Sequence, residues 1–372
     1  MNLLFLEREP RFIGGSERMG LALCKHAQAH GHRCWLVHGE PGDMVAAYAA
    51  AGARCIQRPV IPFAVRRPAE AARSFLALRG VVKREHIEVV FSSLISYVSL
   101  MAAVGRTTDA RTVVHLGLTY DFSSPLFRAG QHAIDLGVTP SEHTAQGWRE
   151  RGWPPGALQI IPNGIDTSVF SPGDGRDAAR ARIGVAPTAG PLVAYVGRLV
   201  PEKGIFTLMR AMARYRRTGG AGHLLYAGAA SADEAAQLAR IAREETLADR
   251  DWEIRTPTTQ PEDIYRAADL IAMPSEYDES FGLVPLEAMS CGTMAIVSDR
   301  GILPSFVAPV GSTAVFPAGQ EAALADRLAY WLGNAERRNA AAARLAAHTR
   351  AHYDFESCGN AYLEAFQRLR IR

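Results

Sequence analysis

Apolar positions along this chain fall into short unbroken runs, separated by stretches in which they recur at helical spacing. Residues 2–6 contain such a run, Leu3-Leu4-Phe5-Leu6, with no alternation, the pattern of a strand buried on both faces. Pro10 to Ser16 interrupt the chain with two adjacent glycines, Gly14 and Gly15. Glu17 to His30 then set Met19, Ala22, Leu23, His26 and Ala27 at helical spacing, closed by Gly31. A second apolar run follows at Cys34–Val37. Beyond it the pattern predicts a helix over 68–84, a strand at 89–91, a helix near 96–105, and strands at 112–115, 136–139 and 158–161. Alternation of this kind implies βαβ units, a parallel sheet and right-handed crossovers.

The periodicity lapses between 163 and 190, where Asn163-Gly164, Pro172-Gly173, Asp174-Gly175, Pro187 and Gly190 read as a connection between domains. It then resumes with strands at 192–196, 223–227, 252–255, 270–273, 294–297 and 314–316. Helices are expected near 205–214, at 232–245 and 261–267, from about Val284, and in the Ala- and Arg-rich remainder. The expected fold class is therefore α/β, two Rossmann-like doubly wound domains in tandem, spanning 1–168 and 169–354. Such sheets bind ligands at the carboxyl ends of their strands, so a central cleft between domains is the expected site.

Composition narrows the function. The 372 residues suit two domains, and 48% apolar with 21% charged residues excludes an intrinsically disordered chain. A balance of 41 basic against 38 acidic residues argues against a nucleic-acid partner. Five scattered cysteines without a CxxC pair predict buried thiols rather than a disulfide framework or a structural zinc site. No apolar run approaches the ~18 residues of a membrane span. The opening strand has no basic stretch or cleavage site ahead of it, so the expected location is cytoplasmic.

Four segments carry chemistry. The longest runs from Pro274 through Glu279, Phe281, Gly282, Leu283 and Val284 to Glu287 and Gly292. It leaves a buried strand, crosses a polar loop and enters a helix with Pro285 in its first turn, where proline is tolerated. Backbone N–H groups near Gly282, Leu283 and Val284 then lack intrahelical partners and form an anion site at the positive end of the helix dipole. Glu279 and Glu287 flank that turn, and a carboxylate accepts two hydroxyl donors, as a ribose diol or a sugar offers. The second segment, Gly197-Arg198-Leu199-Val200-Pro201-Glu202-Lys203-Gly204, brackets a short loop with two cations suited to a diphosphate. The third is Gly14-Gly15, where a missing Cβ lets backbone approach a ligand. The fourth is His115, ending the strand that begins at Thr112. Cys291 beside Gly292 reads as packing, since no activating base accompanies it, and His143 as the exposed start of a helix.

These segments, with Ile161-Pro162-Asn163-Gly164-Ile165-Asp166 between the halves and the Glu-x7-Glu pair Glu279/Glu287, resemble the retaining GT-B glycosyltransferases of family 4 (glycosyl transferases group 1). The resemblance runs from the first strand to about residue 330. It implies that Arg198 and Lys203 bind the donor diphosphate, Glu287 the ribose hydroxyls and Glu279 the donor sugar. Backbone N–H groups at Leu283 and Val284 would cap the distal phosphate. His115 would lie within reach of a sugar hydroxyl, and Gly15 would admit the diphosphate. It further implies a nucleotide diphosphate sugar as donor (UDP favoured, GDP next), a hydroxyl acceptor, and no metal or other cofactor. Retention would follow from front-face attack, the leaving phosphate helping to deprotonate the acceptor. A last helix, 355–372, would return to the first domain. The chain departs from the family where Met294 replaces a proline, Arg300 a glycine and Ser305 an acid, which touches loop geometry and donor preference.

Two other classes compete with the transferase. A nucleotide-sugar 2-epimerase of related architecture would need an acid/base set that Glu-x7-Glu with Arg198 and Lys203 does not supply. A non-catalytic nucleotide-sugar binding protein would not need Arg198, Lys203, Glu279 and Glu287 all intact. Residues 54–84 add a possible surface: Arg54, Arg58, Arg66, Arg67, Arg73, Arg79, Lys83 and Arg84 stand against one acid, Glu70, with apolar residues interleaved. Such a segment either lies peripherally on an anionic membrane at its inner face or is a solvated helix whose apolar side faces the core.

Overall fold

A computed structural model describes residues 1–10, 15–62, 67–119, 124–186, 190–258 and 260–371. The chain divides into two units, Met1–Gly164 with Glu356–Arg372, and Ile165–Phe355.

In the first unit, β1 (Asn2–Glu7), β2 (Arg33–His38), β3 (Arg54–Gln57), β4 (Val89–Ser92), β5 (Arg111–His115), β6 (Leu136–Thr139) and β7 (Leu158–Ile160) form a parallel sheet in the order β3-β2-β1-β4-β5-β6-β7. Its helices are α1 (Gly15–Ala29), α2 (Met44–Ala50), α3 (Pro68–Arg84), α4 (Val98–Gly105), α5 (Pro125–Gln131) and α6 (Glu142–Glu150). In the second unit, β8 (Leu192–Val196), β9 (His223–Ala227), β10 (Trp252–Arg255), β11 (Leu270–Met273), β12 (Met294–Ser298) and β13 (Val315–Phe316) run parallel in the order β10-β9-β8-β11-β12-β13. Around them lie α7 (Arg176–Arg182), α8 (Ile205–Arg217), α9 (Ala232–Glu244), α10 (Pro261–Ala267), α11 (Leu283–Ser290), α12 (Leu303–Phe306), α13 (Glu321–Leu332) and α14 (Ala335–His352). The helix α15 (Phe355–Ile371) belongs, from Glu356 on, to the first unit.

Unalternated apolar runs become central strands because both faces of each sheet are covered. Leu3–Leu6 in β1 and Leu270–Met273 in β11 are buried throughout. Strand order reverses direction at β1/β4 and at β8/β11, the switch points at which doubly wound sheets take their ligands.

Several elements escape the sequence pattern, α5 and α12 among them, and three of the others show why. The edge strand β3 is only half-buried and has no apolar run, and α2 buries only Met44 and Tyr48. Within the stretch expected to be a plain connection, α7 forms around Arg180, whose guanidinium donates to Ala267 O and Asp269 Oδ2. The chain also passes between units at Gly164/Ile165, four residues before the expected boundary at 168. The cause is a parallel bridge: Ile165 N donates to Tyr353 O and Phe355 N donates to Ile165 O, both at 2.8 Å, within the second unit.

The segment 54–84 buries its apolar side. Leu78, Val81 and Val82 enter the core of the first unit, while Leu76, 62% exposed, shares the outer face with Arg73, Lys83 and Arg84. Phe63, Val65 and Arg66 lie outside the described residues. Among the described residues no helix is long and apolar enough to cross a membrane.

Candidate functional site

The site grows from two loops at the carboxyl ends of β8 and β11. After β8 the chain makes a tight turn over Pro201–Lys203 and enters α8 through Gly204, at φ +71°. A Cβ at Gly204 would lie 1.9 Å from Pro274 O, so glycine alone lets the two loops touch there. Glu276 N donates to Glu202 O at 2.9 Å, and Thr207 Oγ1 to Glu276 Oε1 at 2.6 Å, which joins the loops again.

That juncture brings Lys203 to Glu279. Lys203 Nζ lies 2.6 Å from Glu279 Oε1, the oxygen that also accepts from Ser275 Oγ at 2.6 Å. Tyr277 donates to Glu279 Oε2 at 2.9 Å, and its ring centroid is 4.9 Å from Lys203 Nζ, a cation–π contact. Glu279 is only 5% exposed, and burial followed by its negative charge pushes the Tyr277 hydroxyl well above its ordinary pKa, keeping it a donor. Gly301 completes the support. It donates to Asp278 Oδ1, Ile302 N donates to Glu279 O, and a Cβ at Gly301 would sit 2.2 Å from Glu279 O. Glycine at 301 is therefore required by the geometry, whereas Arg300 beside it is exposed.

Gly282, at φ +86°, turns the chain into α11 and, as its N-cap, supplies no side-chain hydrogen bond. Its first-turn N–H groups, those of Leu283 and Val284 among them, have no intrahelical acceptor. Glu287 lies one turn further on, 8% exposed, with Oε2 accepting from Tyr265 OH at 2.6 Å. Arg198 is exposed; its backbone carbonyl accepts from Tyr195 OH at 2.7 Å, and no side-chain hydrogen bond or ion pair of its own is recorded among the described residues. One cation held by a carboxylate, one exposed cation and a helix start entered through glycine together make an anion-attracting end of the sheet.

The remaining expected residues lie elsewhere. Phe281 turns into the core, edge-on to Phe306 at 5.1 Å and to Tyr353 at 6.0 Å between centroids, so its ring serves packing. Gly15 begins α1, and Gly14 lies outside the described residues. His115 is in the first unit, 1% exposed, its Nδ1 2.8 Å from Tyr362 OH of α15. Burial lowers its pKa to about 4, so the ring is neutral near pH 7. Cys291 is buried, which pushes its thiol up to about 12, and His143 is exposed behind the Ser141 cap of α6. Sequence reasoning missed Ser275, Tyr277 and Tyr265. The first two are legible as hydroxyls beside Glu279, but Tyr265 stands in a different helix.

Known proteins bear on this geometry. Residues 13–169 match the family described as Glycosyltransferase Family 4, and residues 178–347 the family described as Glycosyl transferases group 1. D-inositol 3-phosphate glycosyltransferase of Segniliparus rotundus is 40% identical over 158 residues, 41% of this chain and 34% of that protein. The protein of that name from Mycolicibacterium smegmatis is 37% identical over 216 residues, 57% of this chain and 47% of that one. The chain thus spans less than half the length of these curated relatives. A glycosyltransferase from Rickettsia africae matches with TM-score 0.87 at 15% identity, over 99% of this chain and 98% of that chain. Anabaena HepE, solved in complex with UDP, matches with TM-score 0.84 at 18% identity, over 99% and 100%. At such identities the likeness is one of fold.

Proposed function

Since the chain belongs to the group 1, family 4 glycosyltransferases, we propose that it moves a sugar from a nucleotide diphosphate donor to a hydroxyl acceptor. The observation that carries this reading is the Lys203–Glu279 pair beside the Gly282 start of α11. In this reading Arg198 and Lys203 hold the diphosphate, and the N–H groups of Leu283 and Val284 cap its distal phosphate. Tyr265 fixes the Glu287 carboxylate for the ribose diol, and Glu279 receives a donor-sugar hydroxyl. As the bond between the anomeric carbon and the phosphate oxygen breaks, the two cations and the helix end take up charge on the departing diphosphate, the part a metal plays elsewhere. The acceptor oxygen bonds to the same face of the sugar, its proton passes to the leaving phosphate, and configuration is retained. His115, buried against Tyr362, is assigned to holding α15 rather than to the reaction.

A UDP-sugar is the preferred donor, supported by the UDP in HepE. The names of the curated relatives make an inositol phosphate the first acceptor to try. The test incubates the protein in EDTA with UDP-, GDP-, ADP- and dTDP-sugars, with and without inositol 3-phosphate, and follows free nucleotide and product anomer. Release from one donor, with a product of unchanged anomeric configuration, is expected. No release from any donor, together with no nucleotide binding by calorimetry, would overturn the reading.

A further inference from the structure

Away from the donor cluster, three metal-ligating side chains meet in the first unit. His26 and His30 are one turn apart on α1, and Glu356 stands in the first turn of α15. One ligand atom from each lies within 4.8 Å of the others. His26 Nδ1 is 3.4 Å from Glu356 Oε2, and His30 Nε2 is 3.5 Å from Glu356 Oε1. A tetrahedral ion with ligands at about 2.0–2.1 Å sets neighbouring ligand atoms about 3.4 Å apart.

The far nitrogen of each ring is already engaged. His26 Nε2 lies 3.1 Å from Asn360 Oδ1, and His30 Nδ1 lies 2.9 Å from His26 O. Asn360 Nδ2 reaches Glu356 Oε1 at 3.4 Å, which orients the amide with its oxygen toward His26. Both far nitrogens thus face acceptors, and the near nitrogens, His26 Nδ1 and His30 Nε2, are the ones turned toward the Glu356 carboxylate. This is the outer-shell arrangement of metal-bound imidazoles. Gly359 makes room for it: a Cβ there would lie 2.5 Å from His26 Cγ and Cδ2. His26, 7% exposed, is held in place before any ion arrives.

We propose that His26 Nδ1, His30 Nε2 and Glu356 bind a divalent transition ion of the zinc class, with water as fourth ligand, clamping α1 to α15. Two imidazoles and a carboxylate favour such ions over magnesium or calcium. The site shares no residue with the donor cluster and does not depend on the transferase reading. The other helical histidine pair at this spacing, His348 and His352 on α14, belongs to no comparable three-ligand group among the described residues.

The full chain, stripped with EDTA and desalted, is titrated with Co2+ at neutral pH while visible absorption is followed, then with Zn2+ in competition. One equivalent is expected to bind with a tetrahedral-type cobalt band that Zn2+ displaces, and Zn2+ is expected to raise the thermal midpoint. His30→Ala and Glu356→Gln, both at exposed positions, should each abolish the band and the midpoint shift while the apo protein melts as before. Asn360→Ala should weaken binding by about 10–100-fold, and His348→Ala should leave it unchanged. Absence of saturable binding, or equal binding in wild type, His30→Ala and Glu356→Gln, overturns the proposal and leaves the two rings packed against Glu356 with no ion between them.

Discussion

At the amino end of β11, Asp269 meets three arginines; at the carboxyl end, Glu279 meets one lysine and two hydroxyls. Asp269 Oδ1 pairs with Arg176 at 3.0 Å and Arg338 at 2.8 Å, and Oδ2 accepts from Arg180 at 2.6 Å and Leu192 N at 2.8 Å. Arg180 and Arg338 also donate to the carbonyls of Ala267, Gly190 and Trp331, so their planar forks are fixed at several points. Both oxygens of Asp269 are held by the fold itself, while Arg176 Nε and Arg338 Nε stay buried without a hydrogen-bond partner among the described residues. The partners of Glu279 are instead a flexible ammonium and hydroxyls that rotate about single bonds. They can exchange Glu279 for the oxygens of a ligand without disturbing a backbone contact. Two buried carboxylates flanking one strand thus differ in what holds them, and the type of partner separates a structural charge from a working one.

The comparison predicts opposite responses at the two ends. Asp269→Ala, which leaves arginines buried without their counter-ion, should cost about 3–5 kcal/mol of stability in denaturant unfolding. A loss below about 1 kcal/mol would mean that the knot is not structural. A second test concerns the strand end of the first unit, where His115 is kept neutral. Its folded pKa of about 4 lies below the ordinary 6.5, so the unfolded chain binds the extra proton between those values. Stability is therefore fully present above about pH 6.5 and is lost as pH falls toward 4, by about 3 kcal/mol. His115→Gln should flatten that stretch of the stability–pH curve.

Next in size, Lys203→Ala should cut turnover by about 100-fold while its unfolding midpoint stays near wild type. A variant that loses both together would show that this lysine belongs with the arginines. The smallest effect is expected from Tyr265→Phe. Removing one hydroxyl from Glu287 should raise the donor KM by about 10-fold, close to the worth of one hydrogen bond to a charged group. The value of kcat should hardly move.

Both sheets were legible from unalternated apolar runs, because strands covered on two faces leave that mark. β3 and α2 left none, since half-buried elements at a sheet edge need no continuous apolar stripe. α7 was hidden among glycines and prolines because it is anchored by Arg180 rather than by an apolar face. At the site, Arg198, Lys203, Glu279 and Glu287 lie in two short local segments, so their chemistry could be read in place. Tyr265 could not be, since only the packing of α10 beside α11 carries its hydroxyl to Glu287. The same holds for the histidine pair of α1: His26-x3-His30 is visible as a spacing, but its carboxylate comes from the far end of the chain.

The division of the chain has a further consequence for how the protein is made. The second unit is one uninterrupted segment, Ile165–Phe355, whereas the first is closed by residues that follow it. On the ribosome, Ile165–Phe355 can therefore finish folding while the earlier-made unit still lacks α15. Until that helix emerges, Phe91 has neither Tyr362 nor Phe366 against it, and His115 has no hydroxyl at its Nδ1. The half synthesised first is the half completed last, and the exposed aromatic face it shows in the interval is where chaperone contact during translation would concentrate.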